Sequence, residues 1–170
     1  MKNVVVLSLL FVVSFALKAQ KDSVWKVPKD YQLIKAEDYE PYEKDVVACA
    51  DFLVLAQKDG LENKRKRASQ FLIKWVSGAP KVMISIDPEV VPESIDKKYM
   101  VVFMAGWAKR DIQTKDYKNN LEGNLAGVRA IIKFYQNNKK TLGKDKAIEK
   151  YIKLDKKGKL KASIQKKLLK

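Results

Sequence analysis

Four consecutive cations, Lys64-Arg65-Lys66-Arg67, are the residues of this chain best suited to binding an anion. Ammonium and guanidinium groups form strong charge-assisted hydrogen bonds with phosphate and carboxylate oxygens. The run falls near the predicted start of a helix, where the positive end of the helix dipole disfavours cations. We therefore predict that Lys64–Arg67, the basic collar, meets an acid on a partner or elsewhere in the chain. The alternative interpretation is a solvated collar.

An acidic segment, Glu37–Asp45, is the second candidate for chemistry, because two neighbouring carboxylates can share acid and base roles in hydrolysis. Pro41 lies within it, and proline suits the first turn of a helix. Acids at that position also complement the helix dipole. We interpret the segment as a helix start and predict no catalytic residue. A carboxylate-dependent hydrolase of an envelope or extracellular polymer is the alternative function.

The residue inventory excludes several chemistries. The chain has no histidine and a single cysteine, Cys49, so it lacks the residues of Ser-His-Asp and Cys-His catalysis. Histidine-containing zinc sites and cysteine-rich metal sites are excluded for the same reason. Neither a GxxxxGK[ST] loop nor a GxGxxG fingerprint is present. The sequence therefore predicts no cofactor and no metal, and the apolar neighbours of Cys49 predict a buried, unreactive thiol.

The first 19 residues have the layout of a secretory signal peptide, with Lys2 at the start, an apolar run over Val4–Leu17, and Ala19 at the end. The run is too short for the roughly 20 residues that cross a bilayer. We predict cleavage after Ala19 and a periplasmic or extracellular protein without a transmembrane segment in the mature chain.

Net charge indicates the kind of partner. The chain carries +15, or +13 without Lys2 and Lys18. This excess favours anionic partners such as lipid headgroups, acidic glycans or nucleic acid, and the alternative is a solvated lysine-rich surface. Residues 139–170 hold 13 lysines and 3 acids. A basic helix with an apolar stripe can lie on an anionic membrane, although the stripe can equally dock on the protein's own core. Nucleic acid is disfavoured, because export removes the chain from it and no aromatic residues alternate with the basic runs.

Apolar residues at helical spacing predict an all-α fold, a compact bundle of four to six helices. Val82, Ile84 and Ile86 alternate with other residues and predict an extended segment near residues 81–86. Gly78 is predicted to cap a helix with positive φ, and Asn137-Asn138 to end another. The predicted helices lie at about 41–57, 61–77, 92–109, 121–137, 145–154 and 160–169.

Behind the signal peptide at 1–19, the predicted organisation has three parts. Residues 20–37 form an extended N-terminal arm that packs through Trp25 and Leu33, residues 38–138 form a helical core domain, and residues 139–170 form a basic C-terminal helical region.

The export signal ending at Ala19-Gln20, a lone cysteine in a helix, and the segment Phe71–Pro80 give the chain a family resemblance. It resembles small uncharacterised secreted proteins of Bacteroidota-type bacteria. The resemblance implies an exported helical domain and brings neither an activity nor functional residues. We therefore expect a non-enzymatic binding or structural module of the envelope or extracellular space, with affinity for anionic partners such as an anionic envelope component or an acidic protein.

Overall fold

The computed structural model describes residues 25–56, 60–91 and 97–170, and within these ranges the chain is all-α, as predicted. Two short 3-10 turns, Ala36–Asp38 and Glu40–Tyr42, precede the first helix, and no strand occurs among the described residues. The predicted signal peptide lies outside the described residues. The helices are α1 Glu43–Leu55, α2 Glu62–Gly78, α3 Lys97–Thr114, α4 Asn120–Leu142, α5 Lys146–Lys156 and α6 Leu160–Leu168.

Helix α3 lies between two apolar clusters, which explains why its sequence is apolar nearly all round. One cluster joins it to α1, α2 and the N-terminal arm, where Trp25 and Leu33 are buried as expected. The other joins it to α4, α5 and α6. Ala105, Ala108 and Ile112 belong to the first cluster, and Val102, Phe103 and Trp107 to the second.

Helices α1 and α2 form an antiparallel hairpin, as their short connection predicts. Residues later in α2 contact residues that lie earlier in α1 or in the turns before it. Along the hairpin, the hydrogen-bonded pairs are Arg65 with Ala56, Cys49 with Ala68, and Trp75 with Tyr39.

Two glycines let α3 and α4 approach closely. A Cβ at Gly123 would overlap the indole of Trp107, and a Cβ at Gly127 would overlap the ring of Phe103. Gly123 and Gly127 therefore give α4 a flat surface against which aromatic rings of α3 pack. The loss of helix propensity, about 1 kcal/mol for each glycine, is the cost of this close contact.

The prediction that Gly78 caps α2 with positive φ is wrong. Gly78 is the last helical residue, and Ala79 follows it with φ −62° and ψ 122°, in the extended region. The positive-φ glycines of the described chain are Gly60, Gly143 and Gly158. Glycine is needed at residue 78 because Tyr39 lies where a Cβ would project.

The prediction that α4 ends at Asn137 is also wrong, because the helix continues to Leu142 and ends at Gly143, which has φ +73°. Both asparagines keep their side chains occupied without stopping the helix. Asn138 Nδ2 donates to the Phe134 carbonyl at 2.9 Å, and Asn137 Nδ2 donates to the Leu55 carbonyl at 3.3 Å.

Helix α3 runs five residues further than predicted, to Thr114, and its predicted start at Pro92 falls outside the described residues. The segment after α2 crosses the molecule without becoming part of a sheet. Val82 is buried and Met83 is 80% exposed, which is the alternation expected of extended backbone.

Candidate anion-binding surfaces

The basic collar sits on the first turns of α2, and two of its four cations lie on aromatic rings of the protein itself. Lys64 Nζ is 4.8 Å from the ring centre of Phe52. The Arg65 guanidinium is 4.7 Å from the ring centre of Phe134 on α4. Both side chains are half-buried. Two of the four collar residues are therefore engaged in cation–π contacts within the protein.

Arg65 is the member of the collar most involved in packing. Its Nη1 donates to the Ala56 carbonyl at 3.5 Å, close to the end of α1. Burial lowers the pKa of the guanidinium from its ordinary value, although arginine remains charged throughout the physiological range. Its role is to join the end of α1, the start of α2 and the face of α4.

Lys66 and Arg67 are exposed and make no hydrogen bond or ion pair with another described residue. They line an open hollow together with Asn63 and Gln70. These four residues follow the spacing i, i+3, i+4 and i+7, so they share one face of α2. This polar face is the part of the predicted collar that remains available to an external anion.

The acids within residues 139–170 are occupied inside the fold. Asp145 is the N-cap of α5, where its carboxylate accepts from the backbone N–H groups of Ala147 and Ile148. Asp155 accepts from Arg129 Nε on α4 at 3.2 Å. Their charges are therefore matched by a helix terminus and by an arginine outside this region.

Glu149 is the third acid of the region and links α5 to α4. Its Oε1 accepts from Tyr135 Oη at 2.9 Å and from Lys139 Nζ. These two hydrogen bonds hold the pKa of Glu149 below its ordinary value, and the bond from Lys139 has the larger effect. The carboxylate therefore does not neutralise the lysines on the outer face of α5.

The outer face of α5 and its C-cap residue carry a row of lysines, which we call the α5 lysine stripe: Lys146, Lys150, Lys153 and the C-cap Lys157. All four are exposed, and none makes a hydrogen bond or ion pair within the described part of the chain. Their spacing of four, three and four residues places them on one side of the helix. The region's apolar side chains are used in the core instead. These buried residues are Ile148, Tyr151, Ile152, Leu160 and Ile164.

The charge count along residues 139–170 indicated a basic region but did not single out this stripe. The stripe is identified by comparing the positions of the lysines with those of the apolar residues along α5. Ile148, Tyr151 and Ile152 recur on one face of α5, and the lysines recur on the opposite face.

Two of the predicted acids line a cleft at the other end of the α1–α2 hairpin. Glu40 and Glu43 flank it, and the side chains of Tyr39 and Trp75 contribute its aromatic wall. The cleft holds about 30 Å³ of water-sized space, enough for about two water molecules. It is too small to enclose a sugar ring or a peptide unit.

Each of these carboxylates has a lysine beside it. Glu40 lies 3.6 Å from Lys81 Nζ, and Glu43 lies 2.5 Å from Lys115 Nζ. A hydrolase of this type needs one acid kept protonated and one kept ionised. Here each acid is instead engaged in an ion pair with its own lysine. Carboxylate-dependent hydrolysis stays a prediction.

Asp111, on α3, is the most deeply buried carboxylate of the described chain. Its Oδ2 accepts from Trp107 Nε1 at 3.0 Å, and its Oδ1 accepts from Arg110 Nη1 at 2.8 Å. Burial raises the pKa of Asp111, and Arg110 lowers the pKa of the adjacent Asp116. Both oxygens of Asp111 are thus occupied by side chains of α3. Arg110 also donates to the Asp116 carbonyl and carboxylate, so Arg110 holds the end of α3 to the following loop.

Cys49 is buried in α1, and its Sγ lies 3.4 Å from the Ala68 carbonyl of α2. Burial raises the pKa of the thiol far above its ordinary value, so it stays protonated at neutral pH. Within the described residues, no group of three or more Asp, Glu or Cys side chains is placed to hold a metal ion.

The fold and its surfaces define an all-α helical bundle with a lysine-rich exterior. No family model matches the chain, and no curated protein or solved structure is significantly similar to it. Over the part of the chain that the structure describes, no helix combines the length and apolarity that crossing a membrane requires.

Proposed function

We propose that the protein is an exported, non-enzymatic module that binds peripherally to an anionic lipid surface through the α5 lysine stripe. One observation carries the proposal. Lys146, Lys150, Lys153 and Lys157 face solvent on one side of α5, while the acids of the same region are occupied elsewhere in the fold. Four aligned positive charges are therefore left without an internal counterion among the described residues.

The chemistry of the stripe suits a lipid surface. Lysine ammonium groups are compact point charges without the bidentate geometry that arginine offers to one defined phosphate. Headgroup phosphates form a diffuse layer of charge, and each lysine near it contributes roughly 1 kcal/mol. Four lysines should therefore give weak, reversible attachment on the order of 4 kcal/mol.

The binding mode follows from the burial of the apolar face. Ile148, Tyr151 and Ile152 pack in the core, so they are not available to enter a bilayer. An amphipathic helix that inserts needs its apolar face free. Contact through the stripe is then almost purely electrostatic, and it should weaken steeply as salt shortens the Debye length.

Export is part of the proposal and is supported by the sequence of residues 1–19. Expression of the full chain in a Gram-negative host, fractionation, and N-terminal sequencing test it. A product that begins near Gln20 in the periplasm or medium supports export. A full-length product that stays in the cytoplasm contradicts it.

Vesicle co-sedimentation tests the lipid proposal. The purified protein is mixed with phosphatidylglycerol vesicles and with phosphatidylcholine vesicles at low and high salt. We expect binding to the anionic vesicles alone, lost at high salt. The variant with glutamine at all four stripe positions should bind at least about tenfold more weakly.

A matched control separates the stripe from net charge. Lys26, Lys29, Lys44 and Lys118 are also exposed, and replacing them with glutamine removes the same charge from other elements. This variant should keep most of its vesicle binding. Equal loss in both variants would contradict a stripe-specific surface. Binding to a soluble acidic polysaccharide but not to anionic vesicles would contradict the lipid proposal and favour an acidic polymer.

A further inference from the structure

Residues 81–87 follow α2 outside any helix or strand, and the backbone is unused over residues 81–86. Among the described residues, none of the N–H or C=O groups of residues 81–86 takes part in a hydrogen bond. Asp87 is the first to do so, because its carbonyl accepts from Val90 and Val91. An extended backbone with free donors and acceptors at the surface is a template for another strand.

The side chains of the segment are sorted as in a strand with one covered face. Val82 is buried and Ile84 is half-buried against both apolar clusters. Met83 is 80% exposed, and Ser85 is exposed as well. Ile86, the next residue on the covered side, is 37% exposed, so coverage ends at Ile84. Alternation limits a second strand to registers that differ by two residues.

We propose that two copies of the protein associate by antiparallel pairing of this segment, with Ile84 at the twofold axis. A twofold axis there brings each residue opposite the one equally distant from Ile84. Val82 then faces Ile86 of the other copy, and Met83 faces Ser85. In this register, even-numbered residues of one copy lie opposite even-numbered residues of the other. The covered faces of both strands therefore lie on the same side of the pair, each against its own bundle.

Charge complementarity favours a second copy of this chain as the occupant. In the register centred on Ile84, Lys81 lies directly opposite Asp87 of the second copy, and symmetry repeats this pair at the other end. Opposite charges placed across an antiparallel pair stabilise it, and like charges destabilise it. The charges at the two ends of the segment are complementary to each other, so a second copy of the segment matches them. Nothing in the chain indicates a foreign strand with the same charges.

Both charged ends are free to make the contact. Lys81 lies 3.6 Å from Glu40, but both side chains are mostly exposed, and exposed ion pairs contribute little. Asp87 Oδ1 accepts from the Glu89 N–H at 2.8 Å, while no described donor bonds its Oδ2. The pair can therefore form without breaking a buried interaction.

Prolines limit the length of the template. Pro80 precedes the segment and Pro88 follows it, and proline has no N–H to donate to a ladder. Pairing is thus confined to about seven residues, which favours a reversible dimer over an open-ended assembly.

Sedimentation equilibrium of the purified protein from about 10 µM to about 1 mM tests this proposal. We expect a concentration-dependent monomer–dimer equilibrium. Lys81→Glu and Asp87→Lys should each weaken it by about tenfold or more, because each places like charges opposite one another at both ends. An equimolar mixture of the two variants should form heterodimers nearly as tight as the wild-type dimer, since the charges complement again.

Two further variants keep the result interpretable, and far-UV circular dichroism checks the folding of each variant. Lys44→Glu makes the same charge change on an exposed face of α1 and should leave dimerisation unchanged. In an antiparallel pair only alternate residues direct their N–H groups at the partner. The double variant Ser85→Pro, Ile86→Pro removes an N–H from each alternating set at two exposed positions, so it should abolish the dimer. A protein that stays monomeric at the highest concentration overturns the proposal, whether or not it captures an extended peptide of another protein. A dimer that this double proline variant leaves intact overturns it too.

Discussion

The hydroxyl end of Tyr39 occupies the space that a side chain at residue 78 would need, so the aromatic ring and Gly78 fit together as a pair. Tyr39 is buried, and its Oη lies 3.4 Å from the Leu33 carbonyl. Its own carbonyl accepts from Trp75 Nε1 at 3.0 Å. The end of α2 is thus fixed against the turns that precede α1.

Gly78→Ala should destabilise the protein even though alanine is the better helix former. The added methyl group overlaps the Tyr39 ring, and overpacking of this kind lowers the free energy of unfolding by about 1–3 kcal/mol. Better helix propensity offsets up to about 1 kcal/mol of that loss. Urea unfolding measures the difference.

The same experiment has an internal control. Ser77→Ala changes the neighbouring exposed residue and should alter the free energy of unfolding by less than about 0.5 kcal/mol. In a Tyr39→Phe background, which lacks the hydroxyl, the effect of Gly78→Ala should be smaller. Additive effects of the two substitutions would show that the residues do not interact.

The basic collar should separate into structural and exposed members. Arg65→Gln removes the contact with Phe134 and the hydrogen bond to Ala56, so it should lower the free energy of unfolding by about 1–2 kcal/mol. Arg67→Gln alters an exposed side chain and should change it by less than about 0.5 kcal/mol. Denaturant midpoints of the two variants provide the comparison, and equal midpoints would contradict the division.

Glu149 should make the attachment of α5 to α4 sensitive to acid. Its pKa lies below the ordinary value of 4.5 because Lys139 and Tyr135 hydrogen-bond to the carboxylate. The folded state therefore binds fewer protons than the unfolded state in that range, and stability falls as the pH drops below the unfolded value. The stabilisation is fully present above about pH 4.5 and is lost as the pH falls through the folded pKa.

Thermal unfolding of the wild type and Glu149→Gln between pH 7 and pH 2 measures this contribution. The wild type should be more stable at pH 7, and the difference should disappear in acid. Lys140→Gln changes an exposed lysine next to Lys139 and should leave the pH profile as it is. A pH-independent difference between wild type and Glu149→Gln would argue against the ionised hydrogen bond.

Periodicity was sufficient to predict the helices. Ala68, Phe71, Leu72 and Trp75 share the helical spacing of α2, and all four are buried. Local spacing carries this information because one side of a helix must face the core. The α5 lysine stripe follows from the same rule applied to the polar side.

Features that depend on distant contacts could not be predicted in this way. The need for glycine at residue 78 comes from Tyr39, which belongs to another element. The division of the basic collar depends on Phe52 and Phe134, which are far from it in sequence. Asn137 looked like a helix stop because its hydrogen bond to Leu55 is visible only in three dimensions.

The position of α3 between two apolar clusters has a consequence for how the molecule opens. Neither cluster can lose α3 without exposing a face of the other, so partial opening that releases this helix costs nearly as much as complete unfolding. The amide hydrogens in the middle of α3 should therefore exchange with solvent only when the whole chain denatures, and the two halves of the bundle melt together.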